Sequence, residues 1–349
     1  MYIFISSKYR SLKINIFLLI LTLTDFNLKM KKNKIIQLFI LLVITIILCI
    51  HNLYNYLCLV LLILIIILKK QLKYFIFKLY YNIYFYTKYL FSLNINRLYQ
   101  QNDRKEKIII SLTTYNKRTK TVYKTIESIF NQTIKPDKIV LWLDKNEFNI
   151  NNIPKTLKKQ IKQGLEIDFY HNIKSYKKIV PSLKKYPNDI IITADDDVLY
   201  PKDFIEKLYN AYLLDNSKIY CNYSFKFLNK YYRPTTNIKE LQYLFTYIGT
   251  GAGALFPPKI LPNEILDEEL FTKIAPIHDD IFISTLCMKY NIKIQNVNND
   301  YMKYIKLLQK RTVFNTQSIG LVKQNYEQHK TEIQLQQCLE YFNITLQEL

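Results

Sequence analysis

Short apolar segments alternate with longer amphipathic segments from Lys107 onwards, and this alternation constrains the fold more than any other feature of the chain. The apolar segments 108–112, 139–143, 165–169 and 190–193 have the length and composition of buried strands. The segments between them, 119–131, 157–163 and 177–185, have helical spacing. Such alternation predicts an α/β domain with a mostly parallel, Rossmann-like sheet and helices on both faces. Ligands of such sheets bind at the carboxyl ends of the strands.

The first hundred residues have a different character, with two apolar runs at 35–50 and 53–68 that are separated by His51 and Asn52. A helix of 16 residues, the length of each run, reaches roughly 24 Å, close to the ~30 Å hydrocarbon core of a bilayer. Lysines flank the pair on both sides, which places both ends in the cytoplasm. The runs therefore predict an N-terminal transmembrane helical hairpin, with a single long span or a monotopic hairpin as alternatives.

These patterns divide the chain into three parts. Residues 1–68 form the predicted membrane anchor, and 69–104 a basic, aromatic juxtamembrane segment suited to anionic lipid headgroups. An ordinary packed helix that links the anchor to the domain is the alternative for 69–104. Residues 105–349 form the predicted α/β domain, which we expect on the cytoplasmic side of a membrane.

The net charge and the cysteines exclude some classes of protein but do not identify a binding partner. The net charge of +21 is compatible with nucleic acid, anionic lipid or phosphate-bearing ligands. However, the chain is rich in Lys, Asn, Ile and Tyr throughout, so compositional drift accounts for part of the excess. No pattern typical of a nucleic-acid-binding module is present, and we expect no nucleic-acid partner. The five cysteines form no CxxC pair, which favours free thiols in a reducing compartment.

Three consecutive carboxylates, Asp195, Asp196 and Asp197, follow the apolar segment 190–193 directly. Adjacent carboxylates repel one another unless a cation or water relieves them, and oxygen ligands suit Mg²⁺ or Mn²⁺. The triplet therefore predicts a divalent-metal site, with a solvated acidic turn before a helix near Pro201 as the alternative.

A glycine-rich loop at 249–254 holds three of the five glycines in the chain. Clustered glycines in a chain that otherwise avoids them predict a close approach of the backbone to a ligand, and a tight turn is the alternative. No GK[ST] sequence follows, so this is not a phosphate-binding P-loop.

Four segments resemble GT-A-fold nucleotide-sugar glycosyltransferases in order and spacing. They are IIISLTTYNKR (108–118), SIFNQT with the following strand to Asp144 (128–144), ITADDDVLYP (192–201) and HDDIFIS (278–284). The resemblance spans about residues 107–300 and is to inverting, family-2-like enzymes of the bacterial membrane-anchored type.

The resemblance implies a role for each matching residue. It implies a nucleotide-sugar site formed by Thr113, Thr114, Tyr115, Arg118, Asp144, Lys177, Lys178, Asp195, Asp196, Gly251 and Gly253. Within this set, Asp144 would accept a hydrogen bond from the base, and Lys177 or Lys178 would reach the pyrophosphate. Asp195 would approach the ribose or the metal, and Asp197 would be the metal ligand proper, so that Asp195 and Asp197 form the implied metal site; the division of roles within the triplet stays open. Asp280 would be the catalytic base and Asp279 its neighbour, which would cap the helix 281–290 or hold the acceptor.

The implied activity is metal-dependent transfer of a sugar from a nucleotide-diphosphate sugar to a hydroxyl of a glycan or glycolipid. Mn²⁺ or Mg²⁺ is the implied cofactor, membrane lipids are implied partners, and cell-surface polysaccharide biosynthesis is the implied setting. We expect inversion at the anomeric carbon, although retaining enzymes with a similar acidic pair exist. The alternatives are a catalytically inactive GT-A-like membrane partner protein and, less consistent with the motifs, a basic nucleic-acid-binding protein.

Overall fold

The structure, a computed structural model, describes residues 39–40, 42–44, 54–91, 96–99, 104–228, 231–234, 246–297 and 330–344. The chain divides into two compact units, Met1–Leu79 and Tyr80–Leu349. The apolar run 35–50 lies mostly outside the described residues. The run 53–68 is described from Tyr54, where helix α1 (Tyr54–Phe91) begins.

Helix α1 continues without a break across the predicted boundary between residues 68 and 69. Within the described parts of the chain, no helix combines the length and apolar character needed to cross a membrane. The predicted transmembrane hairpin therefore has no support among these residues.

The second unit contains a seven-stranded sheet with the strand order β10-β5-β9-β4-β1-β2-β3. Its strands are β1 (Ile108–Thr113), β2 (Lys138–Asp144), β3 (Leu165–Tyr170), β4 (Ile190–Ala194), β5 (Ile219–Cys221), β9 (Ala254–Phe256) and β10 (Ile294–Asn296). Neighbouring strands are parallel except at β9, which is antiparallel to β4 and β5. The predicted mostly parallel α/β sheet is confirmed, and its first four strands are those that the apolar segments indicated.

A second, three-stranded antiparallel sheet has the order β7-β6-β8. It consists of β6 (Ser224–Leu228), β7 (Tyr231–Pro234) and β8 (Thr246–Ile248). Strand β8 leads directly into the glycine-rich loop, whose residues Thr250–Ala252 form a 3₁₀ turn.

The described helices of the second unit after α1 are α2 (Tyr123–Phe130), α3 (Lys155–Ile161), α4 (Val180–Lys185), α5 (Phe204–Leu214), α6 (Glu268–Ile274), α7 (Asp279–Lys289) and α8 (Lys330–Tyr341). Alternate residues of β1 belong to two apolar clusters. Ile109 packs in a cluster with residues of α6, α7 and α8, whereas Ile108 and Ile110 pack in another with residues of α2 and α5. Both faces of the sheet are therefore covered, as buried parallel strands require.

Two predicted helices begin later than the spacing indicated. In place of one helix over 119–131, a 3₁₀ turn (Asn116–Lys120) precedes α2. In place of 177–185, a 3₁₀ turn (Lys174–Lys178) precedes α4, which has Pro181 in its first turn. Proline has no N–H and its fixed φ suits the first turn of a helix, so the α-helix starts there and both candidate lysines lie in the preceding turn.

Candidate active site

The carboxyl ends of β2, β1 and β4 lie side by side, because β1 is hydrogen-bonded in parallel register to both neighbours. Thr113 pairs with Trp142, and Leu112 pairs with Ala194. The residues that follow β1 and β4, together with Asp144 at the end of β2, therefore share one edge of the sheet. This edge is where ligands bind in open parallel sheets.

Arg118 neutralises the second and third aspartates of the triplet. Its Nη1 lies 3.0 Å from Asp196 Oδ1, and its Nη2 makes a short ion pair with Asp197 Oδ2. The Thr114 hydroxyl donates to Asp196 Oδ2 over 2.6 Å. Both carboxylates are buried, so the guanidinium from the turn after β1 supplies the positive charge that they require.

Burial raises the pKa of Asp196 to about 7, because the charge of Asp197 adds to the loss of water while Arg118 and Thr114 only partly oppose it. The pKa of Arg118 is raised, since Asp196 and Asp197 outweigh its own desolvation. The end of β4 is thus a tightly coupled group of charges, of which Arg118 is the cation.

Asp195 faces a different cation and a different loop. Its Oδ1 lies 3.2 Å from Lys178 Nζ, and its side chain is 31% exposed, far more than that of its two neighbours. A Cβ atom at Gly251 would overlap the Asp195 carboxylate, so the glycine permits the close approach of the loop. The Tyr200 hydroxyl accepts from the Asp195 N–H over 2.8 Å and donates to the Gly251 carbonyl over 2.6 Å.

The end of β2 forms a separate polar corner. Asp144 is buried and accepts a hydrogen bond from the Asn146 N–H over 2.9 Å. Lys177 Nζ lies 4.0 Å from its Oδ2. Burial lowers the pKa of Lys177, and Asp144 and Glu147 only partly compensate. The two adjacent lysines therefore point to different carboxylates, Lys177 to the β2 corner and Lys178 to the triplet.

Helix α7 begins at Asp279 and not at residue 281, so both acidic residues lie in its first turn. His278 is the N-cap residue and makes no side-chain capping bond. The expectation that Asp279 caps the helix is therefore wrong. Its Oδ2 instead lies 2.9 Å from the Thr250 hydroxyl and 3.1 Å from Lys178 Nζ. The position still favours negative charge, since the N–H groups of the first turn point towards it.

Asp280 is held by β8 and by the glycine-rich loop. Its Oδ2 accepts from the Tyr247 hydroxyl over 2.9 Å, and its Oδ1 accepts from the Thr250 N–H over 2.9 Å. The Thr250 hydroxyl also makes a short contact with Oδ1. Burial and the charge of Asp279 raise the pKa of Asp280 to about 6, against the opposing effects of Lys178 and Thr250. A carboxylate of this kind can accept a proton near neutral pH.

The remaining predicted residues lie on the same edge but differ in their contacts. The Thr113 hydroxyl donates to the Trp142 carbonyl over 2.9 Å, so it supports the strand pair. The Tyr115 ring lies 5.7 Å from the Arg118 guanidinium carbon. Gly253 has φ +103, and a Cβ there would overlap the Phe204 ring, so only glycine fits at this position of the loop. Their roles towards a nucleotide stay predictions.

The donor set at the triplet consists of carboxylate oxygens, which are the ligands that Mg²⁺ and Mn²⁺ prefer. Arg118 shows that Asp196 and Asp197 are arranged to face a cation, and Asp195 is the most exposed of the three. Among the residues that the structure describes, no group of three or more His, Cys, Asp or Glu side chains is placed to hold an ion. The carboxylate oxygens of the triplet fit a divalent ion by their chemistry, and one or two of them would hold it.

Three supporting residues escaped the sequence interpretation. Tyr247 and Thr250 position Asp280, and Tyr200 joins the triplet to the glycine-rich loop. Thr250 lies inside the glycine cluster that the sequence singled out. Nothing in the local pattern distinguishes Tyr247 among the 30 tyrosines of the chain.

A family comparison matched residues 109–253 to the family described as "Glycosyl transferase family 2". A comparison with curated proteins found no match.

Solved structures with a similar course of the chain include TarS 1-349 from S. aureus in complex with UDP, at 16% identity and a TM-score of 0.40, covering 69% of this chain and 73% of that one. Another is the mannosyltransferase PcManGT from Pyrobaculum calidifontis in complex with GDP-Man and Mn²⁺, at 11% identity and a TM-score of 0.38, covering 75% and 80%. A third is 4-diphosphocytidyl-2C-methyl-D-erythritol synthase from Anaerococcus prevotii, at 17% identity and a TM-score of 0.38, covering 58% and 99%. The segment 109–253, which contains the acidic triplet and most of the glycine-rich loop, is similar to the glycosyl transferase family 2.

Proposed function

We propose that this chain is a glycosyltransferase that moves a sugar from a nucleotide-diphosphate sugar to a hydroxyl of a glycan or glycolipid acceptor. One observation carries the proposal. The acidic triplet after β4 and the acidic pair at the start of α7, distant in the sequence, meet around Lys178 at the carboxyl edge of the sheet. The family match over residues 109–253 supports the same reaction class.

The donor binds across the ends of β1, β2 and β4 in this proposal. Asp144 accepts a hydrogen bond from the base, and Thr114, Tyr115 and the neighbouring turn surround the nucleotide. The diphosphate lies near Asp195, the most exposed carboxylate of the triplet. Gly251 and the loop around it lie next to that carboxylate and border the position of the transferred sugar.

Asp280 acts as the base. As the acceptor oxygen attacks the anomeric carbon, its proton passes to the Asp280 carboxylate. The bond between the anomeric carbon and the phosphate oxygen breaks, and its electron pair leaves with the nucleoside diphosphate. Attack from the face opposite to the leaving group inverts the anomeric centre, and no covalent intermediate with the protein is required.

A divalent ion, Mn²⁺ or Mg²⁺, would neutralise the charge that develops on the diphosphate, held by Asp195 with Asp197 as its partner ligand. Arg118 contacts Asp197, so this assignment requires the Asp197 carboxylate to bind the guanidinium and the ion together.

Membrane attachment through the N-terminal segment, with the catalytic domain on the cytoplasmic side, is part of the proposal. The side chains of Leu61, Leu62, Ile65 and Ile66 on α1 are exposed in the described helix. Exposed apolar surface of this extent is typical of contact with lipid or with another protein. The lysines at 69, 70 and 73 are suited to anionic headgroups.

The decisive experiment is a binding screen of the full-length chain with UDP, GDP, CDP and ADP, with and without Mn²⁺, followed by a transfer assay with sugar nucleotides of any base that binds. Selective binding and transfer are expected. Absence of binding to every diphosphate contradicts the proposal. Binding without transfer to any acceptor favours the inactive membrane partner protein.

A further inference from the structure

Lys178 connects the two acidic motifs of the site. It is the last residue of the 3₁₀ turn Lys174–Lys178, and its side chain is 6% exposed. Its Nζ lies 3.2 Å from Asp195 Oδ1 and 3.1 Å from Asp279 Oδ2. The two carboxylates come from different elements, the end of β4 and the first turn of α7. One ammonium group thus joins parts of the chain that are otherwise separate in sequence.

The burial of this bridge distinguishes it from a similar one on the surface. Lys185 also contacts two carboxylates, Glu166 and Asp168, but both belong to β3 and all three side chains are about a third exposed. Water screens such a surface pair, so it contributes little to geometry. A buried ammonium is retained only where its partners compensate for the lost hydration, and its removal leaves the partners uncompensated.

We propose that Lys178 is a positioning residue, which fixes the distance between the donor-side carboxylate Asp195 and the acceptor-side carboxylate Asp279. Because Asp280 is adjacent to Asp279, this contact also aligns Asp280 with the acceptor hydroxyl. This inference rests on the proposed glycosyl transfer. It assigns Lys178 a different role from the expected one, in which Lys177 or Lys178 reaches the pyrophosphate, because both ion pairs of Lys178 among the described residues are with protein carboxylates.

The charge of Lys178 also acts on Asp280. Among the described residues, Asp280 is faced by Asp279 from its own helix, by Lys178 and Tyr176 from the turn after β3, and by Tyr247 and Thr250 from β8 and the loop that follows it. The N-cap residue His278 packs edge to face against Tyr247. Lys178 is the cation that acts on Asp280 in this group, and its charge lowers the pKa of Asp280. Loss of Lys178 therefore raises the pKa of Asp280 further. As the pH is lowered, the variant should lose activity at a higher pH than the wild type does.

The test compares three full-length variants with the wild type: Lys178→Met, Lys178→Arg and Lys185→Met. We expect Lys178→Met to lower kcat by about ten- to hundredfold, as small misplacements of reacting groups do, with little change in the KM of the donor. The acid limb of its pH–rate profile should move to higher pH. Lys178→Arg, which keeps a cation able to contact two carboxylates, should restore most of kcat. Lys185→Met should behave as the wild type.

Two results would overturn the inference. A raised donor KM with unchanged kcat would make Lys178 a diphosphate ligand. An unchanged acid limb, or a kcat of Lys178→Arg as low as that of Lys178→Met, would remove the positioning role. If Lys178→Met does not fold, Lys178→Gln, which keeps hydrogen bonding without the charge, has the same expected outcomes. If the wild-type chain transfers sugar and the variants show either of these results, the positioning role fails and the proposed function stands. If the wild-type chain neither binds a diphosphate nor transfers sugar, both the positioning role and the proposed function fail.

Discussion

The Thr250 N–H donates to Asp280 Oδ1 over 2.9 Å, so the glycine-rich loop holds the acidic start of helix α7 directly. The Thr250 hydroxyl lies 2.9 Å from Asp279 Oδ2 and also contacts Asp280, and a single O–H can donate to only one of them at a time. The two carboxylates thus share one donor. Thr250 therefore links the positions of the two carboxylates at the start of α7.

Replacement of Asp280 by Asn should lower kcat by roughly 10²–10⁴-fold, since Asn keeps the size of the side chain but removes the basic oxygen. The affinity for nucleoside diphosphates, measured by calorimetry, should change little. Asp279→Asn is the matched control and should cost less in turnover and more in stability, because it loses the ion pair with Lys178. A severe loss of turnover in Asp279→Asn with near-normal Asp280→Asn would exchange the two roles.

The rate should fall below about pH 6, because Asp280 must be deprotonated to accept a proton and its pKa is raised to about 6. The protonated carboxyl group cannot act as a base, so the rate is retained above this pH and lost below it. A profile of kcat from pH 4.5 to 8 measures the limb. An acid limb near the ordinary carboxyl range of about 4 would contradict the assignment.

Chelation should abolish transfer, and Mn²⁺ or Mg²⁺ should restore it, if Asp195 and Asp197 complete their coordination with a bound diphosphate. Binding of Mn²⁺ can be followed directly by electron paramagnetic resonance, with and without nucleoside diphosphate. We expect tight binding only with the diphosphate, because Arg118 and Lys178 already face the carboxylates. Full activity in EDTA would exclude the metal role.

Arg118→Met should destabilise the protein by about 3–5 kcal/mol, because it leaves the buried carboxylates of Asp196 and Asp197 without their cation. Unfolding in denaturant measures the change. The loss should be smaller at pH 5 than at pH 8, since Asp196, whose pKa is already raised, takes up a proton and the repulsion disappears. Lys185→Met, which breaks exposed pairs, should cost less than about 1 kcal/mol. Equal losses in the two variants would contradict this account.

Deletion of residues 1–68 should release the chain from tight membrane integration. Binding that remains should weaken as salt is added, because residues 69–104 are rich in lysines and aromatic side chains, which are suited to a lipid surface. Sedimentation with liposomes of defined anionic content, before and after carbonate and high-salt washes, measures both effects. A truncated chain that stays with the membrane after both washes would contradict the assigned anchor.

The parallel sheet and the edge that carries the site could be predicted from the sequence. Apolar segments of strand length, such as Ile190–Ala194, require burial wherever they occur, and the alternation with helices leaves few ways to arrange them. The position of Asp195 at a strand end follows from the same local pattern. These features depend on residues that are close together in the sequence.

The charge pairing within the site was decided only by the tertiary structure. The resemblance implied that Arg118 and either Lys177 or Lys178 belong to the donor site. It gave no sign that packing would place Arg118 against Asp196 and Asp197, and Lys178 against Asp195 and Asp279. No pattern in the sequence around Tyr247 predicts its contact with Asp280 either. Which cation reaches which carboxylate depends on how β4, the turn after β3 and α7 pack together. Burial then makes each pairing necessary, because a carboxylate without water must find its partner within the fold.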